Sequence, residues 1–207
     1  MKIKICGITN LKDAKAAVNA GADILGFVFA KSPRRITPKT AAAIIEDIGP
    51  RVEFAGVFVD SPVSVVQKII IECKIGILQF HGDESPEYCD AFRQTHKVFK
   101  AFRIKDKNDL KDLRRYEVDG YLLDTFVKDK KGGTGKTFDW KLAVDAKKLI
   151  SPVILSGGLG LKNVKNAIRI VEPYMVDVSS GLEKSPGKKD LKLMKDFIKA
   201  VKDEEIT

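Results

Sequence analysis

Two glycine-rich segments near the end of the chain are the residues best suited to chemistry. They read Leu155-Ser156-Gly157-Gly158-Leu159 and Asp177-Val178-Ser179-Ser180-Gly181. Each segment follows a short apolar run typical of a β-strand and precedes a helical pattern. Bare backbone N–H groups at such turns can hold a phosphate. One such segment alone would more often be an ordinary loop, but a pair on the last two strands of a repeating chain predicts a phosphate site.

Polar side chains also stand where four of the predicted strands end. Strand side chains alternate between faces, so residues two apart share a face. The pairs that share an inward face are Lys4 and Cys6, Gln79 and His81, Leu122 and Asp124, and Asp177 and Ser179. We therefore expect His81, Asp177 and Ser179 to contact a ligand inside the fold.

Two of these residues are candidates for proton transfer. Cys6 alone is more often a small buried apolar residue, but facing inward its thiolate can act as a base or nucleophile. Asp124 could simply cap a loop after the apolar run Tyr121-Leu122-Leu123. Facing inward, it is the best candidate general acid, because partial desolvation favours a protonated carboxyl.

A pair of arginines, Arg34 and Arg35, lies in the loop after the second predicted strand. They are either solvated loop charges or a guanidinium fork that holds a carboxylate. The residues alone leave both possibilities open.

A strand-then-helix pattern repeats eight times and has to position these residues. The predicted strands are Lys2–Cys6, Ile24–Phe29, Glu53–Val59, Gly76–Phe80, Lys97–Phe102, Gly120–Asp124, Pro152–Leu155 and Met175–Ser179. Helical patterns start near Asn10, Pro38, Pro62, Ser85, Lys107, Phe138, Leu161 and Lys189. Units of about 26 residues predict an α/β fold, a single-domain (β/α)8 TIM barrel over residues 1–207, with chemistry at the C-terminal strand ends. An open doubly wound sheet is less favoured, because its Gly-x-Gly-x-x-Gly fingerprint is missing after the first strand.

Local motifs refine these elements. Thr37-Pro38 and Ser61-Pro62 predict helix starts capped by a hydroxyl, and Gly21 and Gly49 predict helix ends. The segment Gly132–Trp140 contains Gly-x-Gly-Lys-Thr, but it lacks the spacing of a phosphate-binding Walker A loop. We predict instead a loop after the sixth strand that closes over the ligand.

Composition limits the class of protein. The 207 residues carry a net charge of +9, but the lysines are spread along the chain, which favours a solvated basic surface over nucleic-acid binding. No apolar run reaches the roughly 18 residues that a membrane span needs, and the N-terminus does not look like a signal peptide. The three cysteines predict neither a disulfide framework nor a zinc site, so we expect a cytoplasmic protein.

A set of short motifs follows one order along nearly the whole chain. They are Lys4-Ile5-Cys6-Gly7-Ile8-Thr9, Gly26-Phe27-Val28-Phe29, Ser32-Pro33-Arg34, Gly56-Val57-Phe58-Val59, Gln79-Phe80-His81-Gly82, Leu122-Leu123-Asp124, the loop ending in Phe138-Asp139-Trp140, Leu155–Leu159, Asp177–Glu183 and Pro186-Gly187-Lys188-Lys189-Asp190. Together these motifs resemble the phosphoribosylanthranilate isomerase family of tryptophan biosynthesis.

The resemblance implies an Amadori rearrangement of N-(5-phosphoribosyl)anthranilate with no metal and no cofactor. It implies Asp124 as the general acid, Cys6 as the general base and Arg34, chosen over Arg35 by the Ser-Pro-Arg frame, as the holder of the anthranilate carboxylate. The phosphate would be held by the backbone of Gly157, Gly158, Ser180 and Gly181. The expected partner is a small phosphorylated substrate, not nucleic acid or membrane, and the expected state is a monomer or homodimer.

Other phosphate-binding barrels of small-molecule metabolism are the alternatives. A ribulose-phosphate epimerase needs inward metal ligands or paired aspartates, and the rim offers a single well-placed histidine, His81. An indole-glycerol-phosphate synthase needs an inward catalytic lysine with carboxylate partners, and we expect Lys4 to lie one layer too low.

Overall fold

In a computed structural model that describes residues 1–125 and 139–205, eight parallel strands close into a barrel. They are β1 (Lys2–Cys6), β2 (Ile24–Val28), β3 (Glu53–Phe58), β4 (Ile77–Phe80), β5 (Lys97–Ile104), β6 (Gly120–Thr125), β7 (Val153–Leu155) and β8 (Met175–Val178). Each strand pairs with the next, and β8 pairs with β1. The predicted single-domain (β/α)8 barrel is confirmed.

Helices surround the barrel. Those of the described residues are α1 (Leu11–Ala20), α2 (Pro38–Ile48), α3 (Val63–Cys73), α4 (Pro86–Arg93), α5 (Trp140–Lys147), α6 (Val164–Val171) and α7 (Leu191–Glu205). A short antiparallel hairpin, β9 (Glu183–Ser185) and β10 (Lys188–Lys189), lies between β8 and α7. None of these helices is long and apolar enough to cross a bilayer. The predicted closing loop, up to Phe138, lies outside the described residues.

The helix predicted near Lys107 is wrong. Two short 3-10 turns, Lys107–Leu110 and Leu113–Arg115, connect β5 to β6 instead. The buried residues of this segment, Leu110 and Leu113, are three positions apart, which matches the three-residue period of a 3-10 helix. Asp106 fixes the start of the first turn by accepting a hydrogen bond from the Asn108 backbone N–H. The remaining residues of the segment are mostly charged and offer no wider apolar stripe to pack on the barrel.

The helix caps predicted at Thr37 and Gly21 are confirmed, whereas the cap predicted at Ser61 is wrong. Thr37 caps α2 by accepting a hydrogen bond from the Thr40 backbone N–H, as expected. Gly21 ends α1 with φ 101°, a left-handed conformation that glycine adopts readily. The cap predicted at Ser61 is wrong, because α3 begins one residue later than expected and the Ser61 hydroxyl donates to the Val59 carbonyl.

The strands divide the core into an inner and an outer part. The inner part fills the barrel with Ile24, Ala55, Ile77, Phe99, Ala101, Leu122, Ile154 and Met175. The outer part lies between strands and helices and includes Ile3 and Ile5. On β1 the alternation therefore turns Lys4 and Cys6 inward, as predicted. Polar side chains lie above the inner apolar layer, where the strands end.

Candidate active site

A cavity of about 820 Å³ opens at the C-terminal ends of the barrel strands. Barrels of this kind place their chemistry at this end, and a cavity of this size suits a small-molecule ligand. The predicted residues that line it are Cys6, Arg34, His81, Asp124, Gly157, Gly158, Asp177, Ser179 and Ser180. Gly181 follows immediately after them in the chain. The structure thus brings nearly all of the predicted site residues together around one cavity.

Cys6 ends β1 with its side chain at the floor of this cavity. The residue is 7% exposed, and burial raises the pKa of its thiol. The positive charges of Lys4 and Lys189 oppose that rise, whereas Asp177 adds to it. The protonation state of Cys6 is therefore set by these three neighbouring charges as well as by burial.

Asp124 is the penultimate residue of β6 and is linked to β4 through the hydrogen bonds of His81. Its Oδ2 lies 3.0 Å from His81 Nε2, and His81 Nδ1 lies 2.9 Å from Gln79 Nε2. The imidazole of His81 therefore bridges the Gln79 amide and the Asp124 carboxyl, one ring nitrogen to each. The relay orients the Asp124 carboxyl, which is 4% exposed, at the edge of the cavity. His81 was predicted to bind substrate; its contact with Asp124 adds an orienting role.

The loop after β7 presents bare backbone to the cavity. Gly157 and Gly158 adopt φ 81° and φ 65°, conformations that favour glycine at both positions. Asn163 folds the loop, because its side chain accepts from the Gly160 N–H at 2.9 Å and donates to the Gly158 carbonyl at 3.0 Å. Two consecutive left-handed glycines at a cavity rim form the kind of concave N–H surface that binds anions.

The segment after β8 begins with a 3-10 turn, Ser180–Leu182. The first N–H groups of such a turn, here those of Ser180 and Gly181, have no partner within it. Gly181 also lies against the β7 loop so closely that a Cβ there would be 1.9 Å from the Leu159 carbonyl oxygen. Only glycine permits this approach, which brings the two N–H surfaces side by side.

Replacing Gly181 with alanine is expected to raise KM at least about ten-fold. The new methyl group would push the β8 turn away from Leu159, since overpacking against backbone forces a shift that costs about 1–3 kcal/mol. Steady-state kinetics checks the prediction, with Gly160→Ala as the matched control in the same contact. A Cβ at Gly160 meets its nearest atom, the Gly181 carbonyl oxygen, at an ordinary 3.7 Å, so its effect should be mild. Equal KM values for the two variants would contradict the proposed packing role.

Arg34 reaches the cavity from the loop after β2. Its Nε and Nη2 donate to the two carboxylate oxygens of Glu183 at 2.8 and 2.7 Å. Lys189 also contacts Glu183, at 3.0 Å, and donates to the Ser179 carbonyl at 3.1 Å. Burial raises the pKa of Glu183, but the hydrogen bond from Arg34 and the charge of Lys189 outweigh it and lower the pKa below its usual range. Arg34 is therefore fixed by a charged carboxylate, whereas Arg35 is exposed.

Glu183 and Lys189 are the residues that sequence reasoning missed. Both lie on the β9–β10 hairpin, which contacts α1 through Asp13 and the loop after β2 through Arg34. The available indications were the segments Asp177–Glu183 and Pro186–Asp190, which resembled the family without suggesting a contact. The structure gives these segments a role in holding Arg34 and Ser179.

Lys4 meets one requirement set for the synthase alternative, because it has a carboxylate partner. Its Nζ lies 2.8 Å from Asp177 Oδ1. The side chain is nevertheless fully buried and does not line the cavity. The expectation that Lys4 lies below the layer where chemistry occurs is thus confirmed, and the site lacks an accessible catalytic lysine at that position.

Comparison with known proteins identifies the family. The family model described as N-(5'-phosphoribosyl)anthranilate isomerase matches residues 3–200. The chain is 47% identical over 203 residues to the enzyme of that name from Geobacter sulfurreducens, covering 98% of each chain.

Solved structures agree with this match. A dimeric phosphoribosylanthranilate isomerase from Thermotoga maritima, studied as generated monomers, superposes with a TM-score of 0.89 at 40% identity, over 98% of this chain and 99% of that one. A phosphoribosylanthranilate isomerase in complex with reduced 1-(o-carboxyphenylamino)-1-deoxyribulose 5-phosphate superposes at 0.87 with 38% identity and the same coverage. The chain belongs to the phosphoribosylanthranilate isomerase family, and its activity is the isomerisation of N-(5'-phosphoribosyl)anthranilate in tryptophan biosynthesis.

Proposed function

We propose that Asp124 is the general acid and Cys6 the general base of this isomerisation. Asp124 gives its proton to the furanose ring oxygen, the C1–O bond breaks, and the nitrogen lone pair forms a C1=N bond. The resulting cationic imine acidifies the proton on C2, which the Cys6 thiolate removes. The C–H electrons form C1=C2 while the C1=N electrons return to nitrogen. The enol then loses its hydroxyl proton and gains one at C1, giving the isomeric ketone.

The placement of the two groups supports these roles. Asp124 and Cys6 line the same cavity from strands separated by β7 and β8. Ring opening needs a proton at the ring oxygen, and the next step needs a base at C2, so two groups have to approach different atoms of one sugar. Cys6 and Asp124 are cavity residues whose chemical types suit those two tasks.

The substrate would be held at both ends. The N–H groups of Gly157, Gly158, Ser180 and Gly181 suit the phosphate, and the buried Ser179 hydroxyl has no hydrogen-bond partner among the described residues. Arg34 uses its Nε and one Nη2 proton for Glu183, so the Nη1–Nη2 edge of the guanidinium is the edge suited to the anthranilate carboxylate. Anchoring both ends would fix C2 near Cys6.

The observation that carries the proposal is the convergence of an acid, a thiol and two phosphate-ready loops on one cavity. The direct test is a fluorescence assay for the loss of phosphoribosylanthranilate with purified protein. Turnover without added metal and after treatment with a chelator is the expected result. Activity that disappears on chelation would overturn a mechanism based on side chains alone.

Arg34 is expected to bind the anthranilate carboxylate. Because hydrogen bonds to charged groups contribute about 1.5–3 kcal/mol, Arg34→Ala should lower kcat/KM about 10- to 100-fold. Arg34→Lys should recover only part of the loss, since an ammonium lacks the planar fork. The kinetics of Arg35→Ala, an exposed neighbour, provide the control and should change little. A severe loss of kcat/KM in Arg35→Ala with a mild loss in Arg34→Ala would mean that Arg35, not Arg34, binds the carboxylate.

We also propose a cytoplasmic enzyme that acts as a monomer or homodimer without nucleic acid or membrane. The three cysteines, Cys6, Cys73 and Cys89, are free thiols, which suits a reducing compartment. The Thermotoga maritima relative is described as dimeric. Size-exclusion chromatography with light scattering distinguishes the two oligomeric states of this chain.

A further inference from the structure

The proposed base has to be a thiolate, yet its surroundings disfavour a negative charge. Burial raises the pKa of Cys6. The charged groups that face it are Lys4 on its own strand, Asp177 on β8 and Lys189 on β10. Asp124 lines the same cavity from β6. A thiolate at this position therefore depends on a nearby cation.

Lys4 is the cation placed most directly for that purpose. It shares the inward face of β1 with Cys6, one step deeper in the barrel. The intervening space is kept open by Gly26 on β2, where a Cβ would lie 2.9 Å from Cys6 Sγ and 3.2 Å from Lys4 Nζ. The φ of Gly26 lies outside the left-handed region, so this glycine is required for space rather than for backbone conformation. The Lys4 ammonium and the Cys6 sulfur thus approach the same point.

The hydrogen bonds of Lys4 differ from those of Lys100, another buried lysine with a carboxylate partner. The Lys100 ammonium donates to the carbonyls of Gly82 and Ala101 at 2.9 Å and lies 3.3 Å from Glu84 Oε2. Among the described residues, the only oxygen bonded to Lys4 Nζ is Asp177 Oδ1. An ammonium has three donors, so the Cys6 sulfur is a natural second acceptor.

A lysine in the barrel interior has to offset the loss of its hydration. The barrel interior is otherwise filled by apolar residues such as Ile24 and Met175, and replacing a buried ion pair with apolar residues is often neutral or stabilising. Asp177 and Cys6 together keep Lys4 charged, raising its pKa despite burial. The Lys4 ammonium thus keeps its positive charge beside the Cys6 sulfur, where a thiolate requires a nearby cation.

We propose that Lys4 is a positioning residue that stabilises the thiolate of Cys6, and that Asp177 holds its ammonium in place beneath the sulfur. Lys4 keeps its proton throughout the reaction, while Cys6 alone accepts the C2 proton and later releases it. The proposal deepens the proposed function, since it rests on Cys6 being the base. It makes Lys4 necessary for the charge of that base, although Lys4 never touches the substrate.

The test is the pH dependence of Cys6 alkylation by iodoacetamide, followed by mass spectrometry of the Cys6 peptide. Lys4→Gln removes the charge but keeps a donor for Asp177. An opposite charge at this range moves a pKa by about 1–3, so removing it should raise the pKa of Cys6. At pH values below that pKa, alkylation of Cys6 in the variant should therefore be at least about ten-fold slower than in the wild type. Cys73 and Cys89 will not interfere, because burial raises their pKa to about 11 and about 12. The alkaline rise of kcat/KM should move to higher pH by the same amount.

Lys100→Gln is the matched control, because it breaks another buried lysine–carboxylate pair. It is expected to lower the melting temperature comparably without changing the Cys6 alkylation profile. If Lys4→Gln lowers activity while that profile stays unchanged, Lys4 is only structural and the proposal is overturned.

Two further results complete the test. Lys4→Arg keeps a positive charge, so its alkylation profile should stay closer to that of the wild type. If Lys4→Gln does not fold, the test rests on Lys4→Arg instead. A rate of Cys6 alkylation in Lys4→Arg that is ten-fold or more below that of the wild type would then contradict the proposal. Full activity in Cys6→Ser would instead show that Cys6 is not the base. That result would contradict the proposed function but not the measured effect of Lys4 on the pKa of the thiol.

Discussion

Cys6→Ser is expected to lower kcat/KM by about 10²- to 10⁴-fold while leaving the fold intact. A serine hydroxyl is a far weaker base than a thiolate, and the change in volume is small. Cys6 lies against Gly26, and no hydrogen bond joins its thiol to backbone within residues 1–125 and 139–205, so serine should be accommodated. Steady-state kinetics together with circular dichroism and thermal unfolding separates lost chemistry from lost structure.

Cys73→Ser is the matched control for this loss. Cys73 ends α3, is buried, and donates its thiol proton to the Pro38 carbonyl at 3.3 Å, a bond that a serine hydroxyl can replace. Activity should remain near that of the wild type. Full activity in Cys6→Ser would remove Cys6 from the mechanism and require another base in the cavity.

With Cys6 as the general base, the direction in which kcat/KM changes with pH can be predicted. The base acts when deprotonated, and burial raises the pKa of Cys6. The thiolate fraction, and with it kcat/KM, should therefore increase as pH rises towards that pKa and fall as pH drops below it. The alkaline rise should be absent in Cys6→Ser, because serine does not titrate in this range.

The barrel followed from the sequence because its determinants are local. Alternation of apolar and polar residues on β1 predicted that Ile3 and Ile5 face the helices while Lys4 and Cys6 face inward, and the two parts of the core confirm it. The error between β5 and β6 arose because Leu110 and Leu113 fit a helical stripe as well as a 3-10 period. The choice between them depends on the hydrogen bonds of Asp106 and Asp109, which composition alone does not rank.

The site was predictable where it depends on strand ends and less so where it depends on distant contacts. The C-terminal end of each parallel strand points to the same rim, so the residues at those ends could be grouped without coordinates. The pairing of Arg34 with Glu183 joins positions 149 residues apart, through a hairpin whose course depends on tertiary packing. The hydrogen bond between His81 and Asp124 likewise joins the C-terminal ends of two strands that are not neighbours. It depends on side-chain rotamers that no sequence pattern specifies.

The contact with His81 bears directly on how Asp124 delivers its proton. Asp124 Oδ2 is held 3.0 Å from His81 Nε2, and Gln79 holds the other ring nitrogen. The carboxyl is thereby oriented in the cavity before substrate binds, and the imidazole is placed to exchange a proton with it after ring opening. His81→Asn should therefore reduce turnover less than loss of the carboxyl itself, since the acid is still present but less well oriented.

Asp124→Asn is expected to lower kcat by about 10²- to 10⁴-fold with little change in KM. The amide keeps the shape of the side chain and can still contact His81, but it cannot give a proton to the furanose oxygen. Because that proton moves only as the ring opens, its loss affects the transition state rather than ground-state binding. Steady-state kinetics, with product-analogue binding measured by calorimetry, separates the two effects. If KM or analogue affinity changed while kcat stayed near that of the wild type, Asp124 would be a binding residue and the acid would have to lie elsewhere in the cavity.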